Sequence, residues 1–287
     1  MFMNLAKKNK HTFWYVYFFY KLVLITIKIF YMKKINLLVA LLLSAITYSQ
    51  VITYTSVRLD EGQHDAYVDL EKFWSKIHEQ AINDDLETGW LIFEVIPVEG
   101  DENADNQPDF LIMNFYKDSV QMSKEVDFYK LGRSVYNKLS KKKFDKIWED
   151  GPYGTRNFYQ LERLDNTTWL FGDLEIGIIL TLNAFKQIDE NYEQYEMDFY
   201  KKWHNKRILN GSRKWWELNR VLSSSENGNK EITHVTLDMM GRELSDSENE
   251  EFWKEVTFMD RMMWSNGAKT REMINQVNLK LLMYKFK

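Results

Sequence analysis

One stretch of this chain occurs twice, and that repeat limits the possible folds more than any other feature. Residues 73–95 read FWSKIHEQAINDDLETGWLIFEV and residues 199–221 read FYKKWHNKRILNGSRKWWELNRV. At a constant offset of 126 they share Phe73/Phe199, Lys76/Lys202, His78/His204, Ile82/Ile208, Trp90/Trp216 and Val95/Val221, with Trp74 answered by Tyr200. A repeat of this length implies two copies of one domain rather than a solenoid of short units. No catalytic motif accompanies it.

Not all of the 287 residues belong to the expected folded part. Met32 opens MKKINLLVALLLSAITYSQ, with Lys33 and Lys34 as a basic start, Ile35 to Ile46 as an apolar core and Thr47-Tyr48-Ser49 as a cleavage site. That order of parts predicts a secretory signal peptide over 32–49, cut to leave Gln50 first. The apolar core is shorter than the ~20 residues a membrane span needs. Residues 1–31 hold an apolar, aromatic run at 13–31, broken by Lys21 and Lys28. It reads as a doubtful extension ahead of the true start at Met32, or as a membrane anchor. The expected location is extracytoplasmic, periplasmic or secreted, and membrane-anchored if the run is an anchor.

Residues 1–49 carry seven Lys and no Asp or Glu, so the mature chain keeps 31 basic against 42 acidic residues, a net of −11. So acidic a chain suits neither nucleic acid nor anionic lipid. With no cysteine it has no disulfide, thiolate metal site or cysteine nucleophile. Its 10 Trp, 16 Tyr and 18 Phe give the core its area instead.

Local patterns predict β-α-β-β-α-β twice. In the first copy, residues 50–164, an alternating strand over 51–59 precedes an amphipathic helix over 65–82. Strands follow at 90–96 and 110–116, an acidic loop lies between them, a helix spans 120–139 with a short one behind it, and a strand covers 155–164. Residues 165–175 are the expected linker. In the second copy, residues 176–287, strands fall at 176–185, 214–222, 231–240 and 276–286. Its helices fall at 192–209, with Gly211 as C-cap, and from a capping box at Ser247 and Glu250 to about 266.

This order, with the Phe-Trp…His…Gly-Trp pattern of the repeat, resembles the dimeric α+β barrel superfamily over roughly 51–286. The resemblance implies an α+β fold: two tandem ferredoxin-like units packed sheet to sheet as a barrel. Members include monooxygenases that need no cofactor, haem-handling enzymes and proteins of unknown role, so the fold alone says little about function.

Strand alternation then splits the residues by face. Leu91, Phe93, Val95, Leu111, Met113, Phe115, Val221, Val235, Leu237 and Met239 are almost wholly apolar and are expected beneath the helices. The other face holds Trp90, Ile92, Glu94, Phe110, Ile112, Asn114, Trp216, Leu218, Arg220, Ile232, His234, Thr236 and Asp238, and is expected to line the barrel interior. Apolar walls with sparse polar groups suit a small-molecule pocket, so the candidate ligand-binding residues are Trp90, Glu94, Asn114, Trp216, Arg220, His234, Thr236 and Asp238. Glu94 and Arg220 occupy equivalent positions and are placed to pair inside the barrel, or to reach solvent at strand ends. His234 is a candidate base or haem ligand, or a hydrogen-bonded core residue. His78 and His204 lack a second ligand at zinc spacing and read as packing residues, so no metal is expected.

Three functions stay open. The first is an exported protein that binds a small, mostly apolar or aromatic molecule in the barrel interior, as a monomer or weak homo-oligomer and without a cofactor. The second is a monooxygenase-like enzyme, cofactor-free or haem-dependent. The third is a structural or interaction protein with a filled core.

Overall fold

The computed structural model describes residues 50–97, 100, 106–168 and 174–287. In the first half, β1 (Val51–Arg58) leads into α1 (His64–Asn83), β2 (Gly89–Pro97) and β3 (Phe110–Tyr116). Three short helices, α2 (Ser119–Met122), α3 (Phe128–Val135) and α4 (Lys141–Glu149), precede β4 (Thr155–Asn166). The second half runs β5 (Ile179–Gln187), α5 (Tyr192–Gln194), a π-helical stretch over Tyr195–Tyr200 and α6 (Lys201–Leu209). It continues with β6 (Arg213–Ser224), β7 (His234–Met240), α7 (Asp246–Lys254), α8 (Phe258–Ala268) and β8 (Arg271–Phe286). The expected signal peptide and the segment before it lie outside the described residues, as do parts of the acidic loop and of the linker. Among the described residues no helix is long and apolar enough to cross a membrane.

All eight strands pair antiparallel in one closed ring, β1-β3-β2-β8-β5-β7-β6-β4. Each half contributes a four-stranded ferredoxin-like sheet, β4-β1-β3-β2 and β8-β5-β7-β6. The edges of one sheet pair with those of the other, β2 with β8 over Gly89–Pro97 and β4 with β6 over Tyr159–Asn166. Closure removes the four exposed strand edges that two separate sheets would carry. The architecture is the expected α+β barrel.

Helix boundaries follow local capping. Tyr67, Leu70, Phe73, Ile77 and Ala81 recur at helical spacing on α1 and are buried. The helix ends where Asp85 takes a left-handed φ of 59°, a conformation its short polar side chain tolerates. The single helix expected over 120–139 is two, because Asp118 and Asp127 each accept a backbone N–H at a fresh N-terminus. The last expected helix is also two. Its first capping box is Ser245 with Glu248, two residues earlier than the sequence reading placed it, and a second one, Thr257 with Asp260, starts α8.

The assignment of faces is reversed. Ile52, Tyr54, Leu91, Phe93, Val95, Leu111, Met113, Phe115, Leu161, Leu182, Val235, Leu237, Met239 and Leu279 form one cluster inside the barrel. Trp90, Ile92, Phe110 and Ile112 instead pack outward against Tyr67, Leu70, Phe73 and Ile77 of α1 and Phe144 of α4. Trp216 and Leu218 likewise meet Tyr192. Of the set expected inside, Ile232 packs against the interior cluster. The two-residue period was right and the side wrong, because both faces are covered and hydrophobicity alone does not distinguish them. The indole rings of Trp90 and Trp216 mark the outer face, since both are buried in the helix–sheet layer.

Candidate functional site

The outward face of the first half carries a cleft of about 640 Å³ between the sheet and α1. Its lining includes Thr53 and Thr55 of β1, Glu71, Trp74 and His78 of α1, Glu87, Asn114 and Tyr116, with Phe128, Arg156 and Tyr159 around them. Glu87 stands in the short turn after α1. The left-handed Asp85 folds that turn back, and Leu86 N–H donates to the carbonyl of Ala81 at 2.9 Å. Glu87 thereby lies under the helix it follows.

There Glu87 is 1% exposed and surrounded by donors. His78 Nδ1 lies 2.8 Å from its Oε2, and Asn114 Nδ2 donates to Oε1 at 3.1 Å. Tyr116 lines the same cleft, and burial together with the Glu87 charge pushes its phenol well above the usual range. A carboxylate acceptor requires the proton on Nδ1 of His78, which turns Nε2 into the basic edge. The imidazole is fixed from below by Trp90, whose ring lies 5.2 Å away and within 10° of parallel. Nε2 has no hydrogen-bond partner among the described residues, and His78 lines the cleft.

A second titratable group occupies the same cleft. Glu71 is 2% exposed, and burial raises its carboxyl above the usual range against the opposing pull of Tyr67, Arg156 and His78. Arg156 sits 3.9 Å from Glu71 and donates to the Tyr67 hydroxyl at 3.4 Å. The cleft therefore pairs an oriented imidazole with a carboxyl that holds its proton to higher pH than usual, a combination suited to moving one proton.

The residues expected to form one site are not brought together. Asn114 lines the cleft and Trp90 supports His78. Glu94 does not pair with Arg220. It meets His64 Nε2 and Lys280 Nζ, each at 3.2 Å. Arg220 bonds Glu193 through two nitrogens, at 2.6 and 2.5 Å, and reaches Glu162 at 3.3 Å. The strand face that carries both residues points away from the interior, so they cannot meet across it. His234 is a core residue bonded to Glu193 at 2.9 Å and to Thr233 at 2.9 Å, and burial holds its pKa below the usual value. Thr236 and Asp238 accept from Asn183 Nδ2, and Asp238 also binds Arg213. Trp216 stacks on His204 at 4.8 Å.

The sequence pattern makes His78 a packing residue, and its contact with a buried carboxylate rests on Glu87, which no local pattern marks. Glu87 lies nine positions on, past the helix end and outside the i±4 spacing at which partners on one helix meet. The repeat did hold a signal, since residue 213, the counterpart of Glu87 at the constant offset, is Arg. A sign reversal next to a retained His-Trp pair points to a site in one copy. Among the described residues no group of three or more His, Asp or Glu side chains could hold a metal ion. A haem does not fit the cleft either. His78 Nε2 could face an iron, but two propionates would meet one cation, Arg156, beside the buried Glu71 and Glu87.

No protein-family model matches the sequence, and neither does any curated protein. Several solved structures are similar. A candidate monooxygenase of Fusobacterium nucleatum subsp. nucleatum aligns with a TM-score of 0.49 and 9% identity over 84% of this chain and 96% of its own. An anthrone oxidase-like protein aligns at 0.45 and 8% over 84% and 94%, and a heme-binding protein of Thermus thermophilus at 0.38 and 9% over 82% and 92%. By its strand order and register, this chain has the tandem form of the dimeric α+β barrel fold.

Proposed function

We propose that the first-half cleft binds a small aromatic molecule with a weakly acidic O–H or C–H group, and that His78 Nε2 takes that proton. The observation that carries this reading is the commitment of Nδ1 to the buried Glu87, which leaves the opposite edge of the ring to the cleft. The proton passes from the ligand to Nε2, and the electron pair stays on the ligand as an anion. The imidazolium so formed is paired with Glu87, and Arg156 is the cation nearest the new negative charge in the lining. Trp74 and Phe128 favour a flat ring system by their geometry.

Proton transfer at a bound phenol is the common core of two finer readings. In one the anion is held unchanged, and the protein is a binder. In the other the anion reacts onward with dioxygen, as a cofactor-free monooxygenase would require. The test of the core uses 4-nitrophenol, whose absorbance reports its own ionisation. Wild-type protein should bind it and show the nitrophenolate band at a pH where free 4-nitrophenol is mostly neutral. His78→Ala should bind it without that band. Failure to bind, or an unchanged band in His78→Ala, would overturn the assignment. Oxygen uptake with an electron-rich naphthol then separates the two finer readings. Export with Gln50 as the first residue is part of the same proposal, and N-terminal sequencing of the secreted protein tests it.

A further inference from the structure

A second cavity, of about 620 Å³, lies inside one end of the barrel and shares little with the cleft. Its walls are inward-facing aliphatic side chains, among them Leu161, Leu182, Ala184, Val277 and Leu279, each at most 8% exposed. Its mouth is lined differently. Asn106 and Gln107 before β3, Asn157 of β4, Asn227 and Asn229 of the β6–β7 turn and Asn275 of β8 gather there. Gln107 and Asn275 exchange two amide hydrogen bonds of 2.7 Å, which tie the segment before β3 to β8 across the two halves. Tyr159 accepts the backbone N–H of Asn229 at 2.9 Å and holds the turn against the rim.

The charge of this lining is as informative as its shape. Among the described residues no carboxylate, lysine or histidine contributes to it, and Arg58 is the one charged side chain. Arg58 already has a partner, so a charged head at such a mouth would lose hydration with no free ion among the described residues to replace it, whereas amides both donate to and accept from neutral oxygen groups. The volume falls within the range of small-molecule sites, and the apolar walls would take a hydrocarbon body.

We infer that the barrel interior is a binding site for a neutral amphiphile, with its apolar body among the aliphatic walls and a hydroxyl- or carbonyl-bearing head at the amide rim. Of the residues expected to bind a ligand in the interior, none lines this cavity. It is independent of the proton chemistry of the cleft, so His78→Ala leaves it intact.

Calorimetric titration of the full chain with 1-dodecanoylglycerol, dodecanoate and dodecyltrimethylammonium, each below its micellar concentration, tests the site. The expected result is one-to-one binding of the neutral probe, with both ions weaker by ~tenfold or more. Ala184→Leu, which places extra carbons in the cavity, should abolish binding while the circular dichroism spectrum is kept. If that variant does not fold, a diazirine placed in the tail of the neutral probe decides the matter in wild-type protein, with crosslinks expected on β5 and β8. No binding to folded protein, equal binding of all three probes, binding retained by a folded Ala184→Leu, or crosslinks on α1 would each overturn the inference.

Discussion

The two halves share a scaffold and differ in what they do with it. In each, a histidine on the helical segment between the first two strands stacks on a tryptophan near the start of the second strand, His78 on Trp90 and His204 on Trp216. Around His78 stand Glu87 and Asn114. At the matching places around His204 stand Arg213, by the constant offset of the repeat, and Asp238, by register, since Asn114 pairs with Trp90 as Asp238 does with Trp216. Desolvation and the Arg213 and Arg207 charges push His204 well below its ordinary pKa, so it stays neutral. Asp238 neutralises Arg213, and Asn183 joins Asp238 to Thr236. In the first half the buried carboxylate binds the histidine itself, whereas in the second the carboxylate binds the neighbouring arginine. Duplication has kept the ring pair that shapes the helix–sheet layer and released the polar partners to diverge.

The largest expected effect tests whether function is confined to one half. With a phenolic substrate that is turned over, His78→Ala should lower the rate by ~10²–10⁴, the usual contribution of a general base. His204→Ala should leave that rate unchanged, and equal losses in both variants would remove the asymmetry. Next in size is a contrast in stability. Asp238→Ala leaves the Arg213 guanidinium, 9% exposed, without its counter-charge, and should cost about 3–5 kcal/mol in urea unfolding. The matching Asn114→Ala removes one hydrogen bond to a carboxylate and should cost about 1.5–3 kcal/mol.

A smaller effect is expected from Glu87→Gln, which keeps the shape of the site but weakens the acceptor that fixes the His78 tautomer. Its rate should fall by about tenfold to a hundredfold, with ligand affinity nearly kept. The smallest is a change of pH slope. The folded pKa of His204 lies below the unfolded value of 6.5, so below that pH the unfolded chain takes up a proton that the folded chain refuses. The stability contributed by neutral His204 is full above pH 6.5 and declines as pH falls below it. Melting temperatures of wild type and His204→Phe between pH 7.5 and pH 5 should therefore converge or cross, with the flatter profile in the variant.

The strand sequence, the first helix and the ferredoxin-like order were legible because each rests on local periodicity. The inside and the outside were not. Leu91, Phe93 and Val95 are as apolar as Trp90 and Ile92 beside them, and in a closed barrel with covering helices neither set meets water. Glu94 and Arg220 suggested an internal pair because their positions match. Each instead found a nearer partner on its own half's helical layer, Glu94 at His64 and Arg220 at Glu193. The site itself depended on Glu87, whose reach back to His78 is set by one left-handed residue, Asp85, and by the turn it makes. Such a contact has no periodic signature, and only the reversed charge at Arg213 marked it.

The seams of the barrel have a consequence for how the chain is made. β8 hydrogen-bonds along both β2 and β5, joining residues 89–97 to residues 277–286. The ring cannot be completed until residue 286 has left the ribosome, and the first sheet must wait with an open edge for a partner almost two hundred residues downstream. Slow, long-range pairing of this kind exposes nascent chains to association with one another. Cells that make this protein therefore have reason to shield β2 during synthesis.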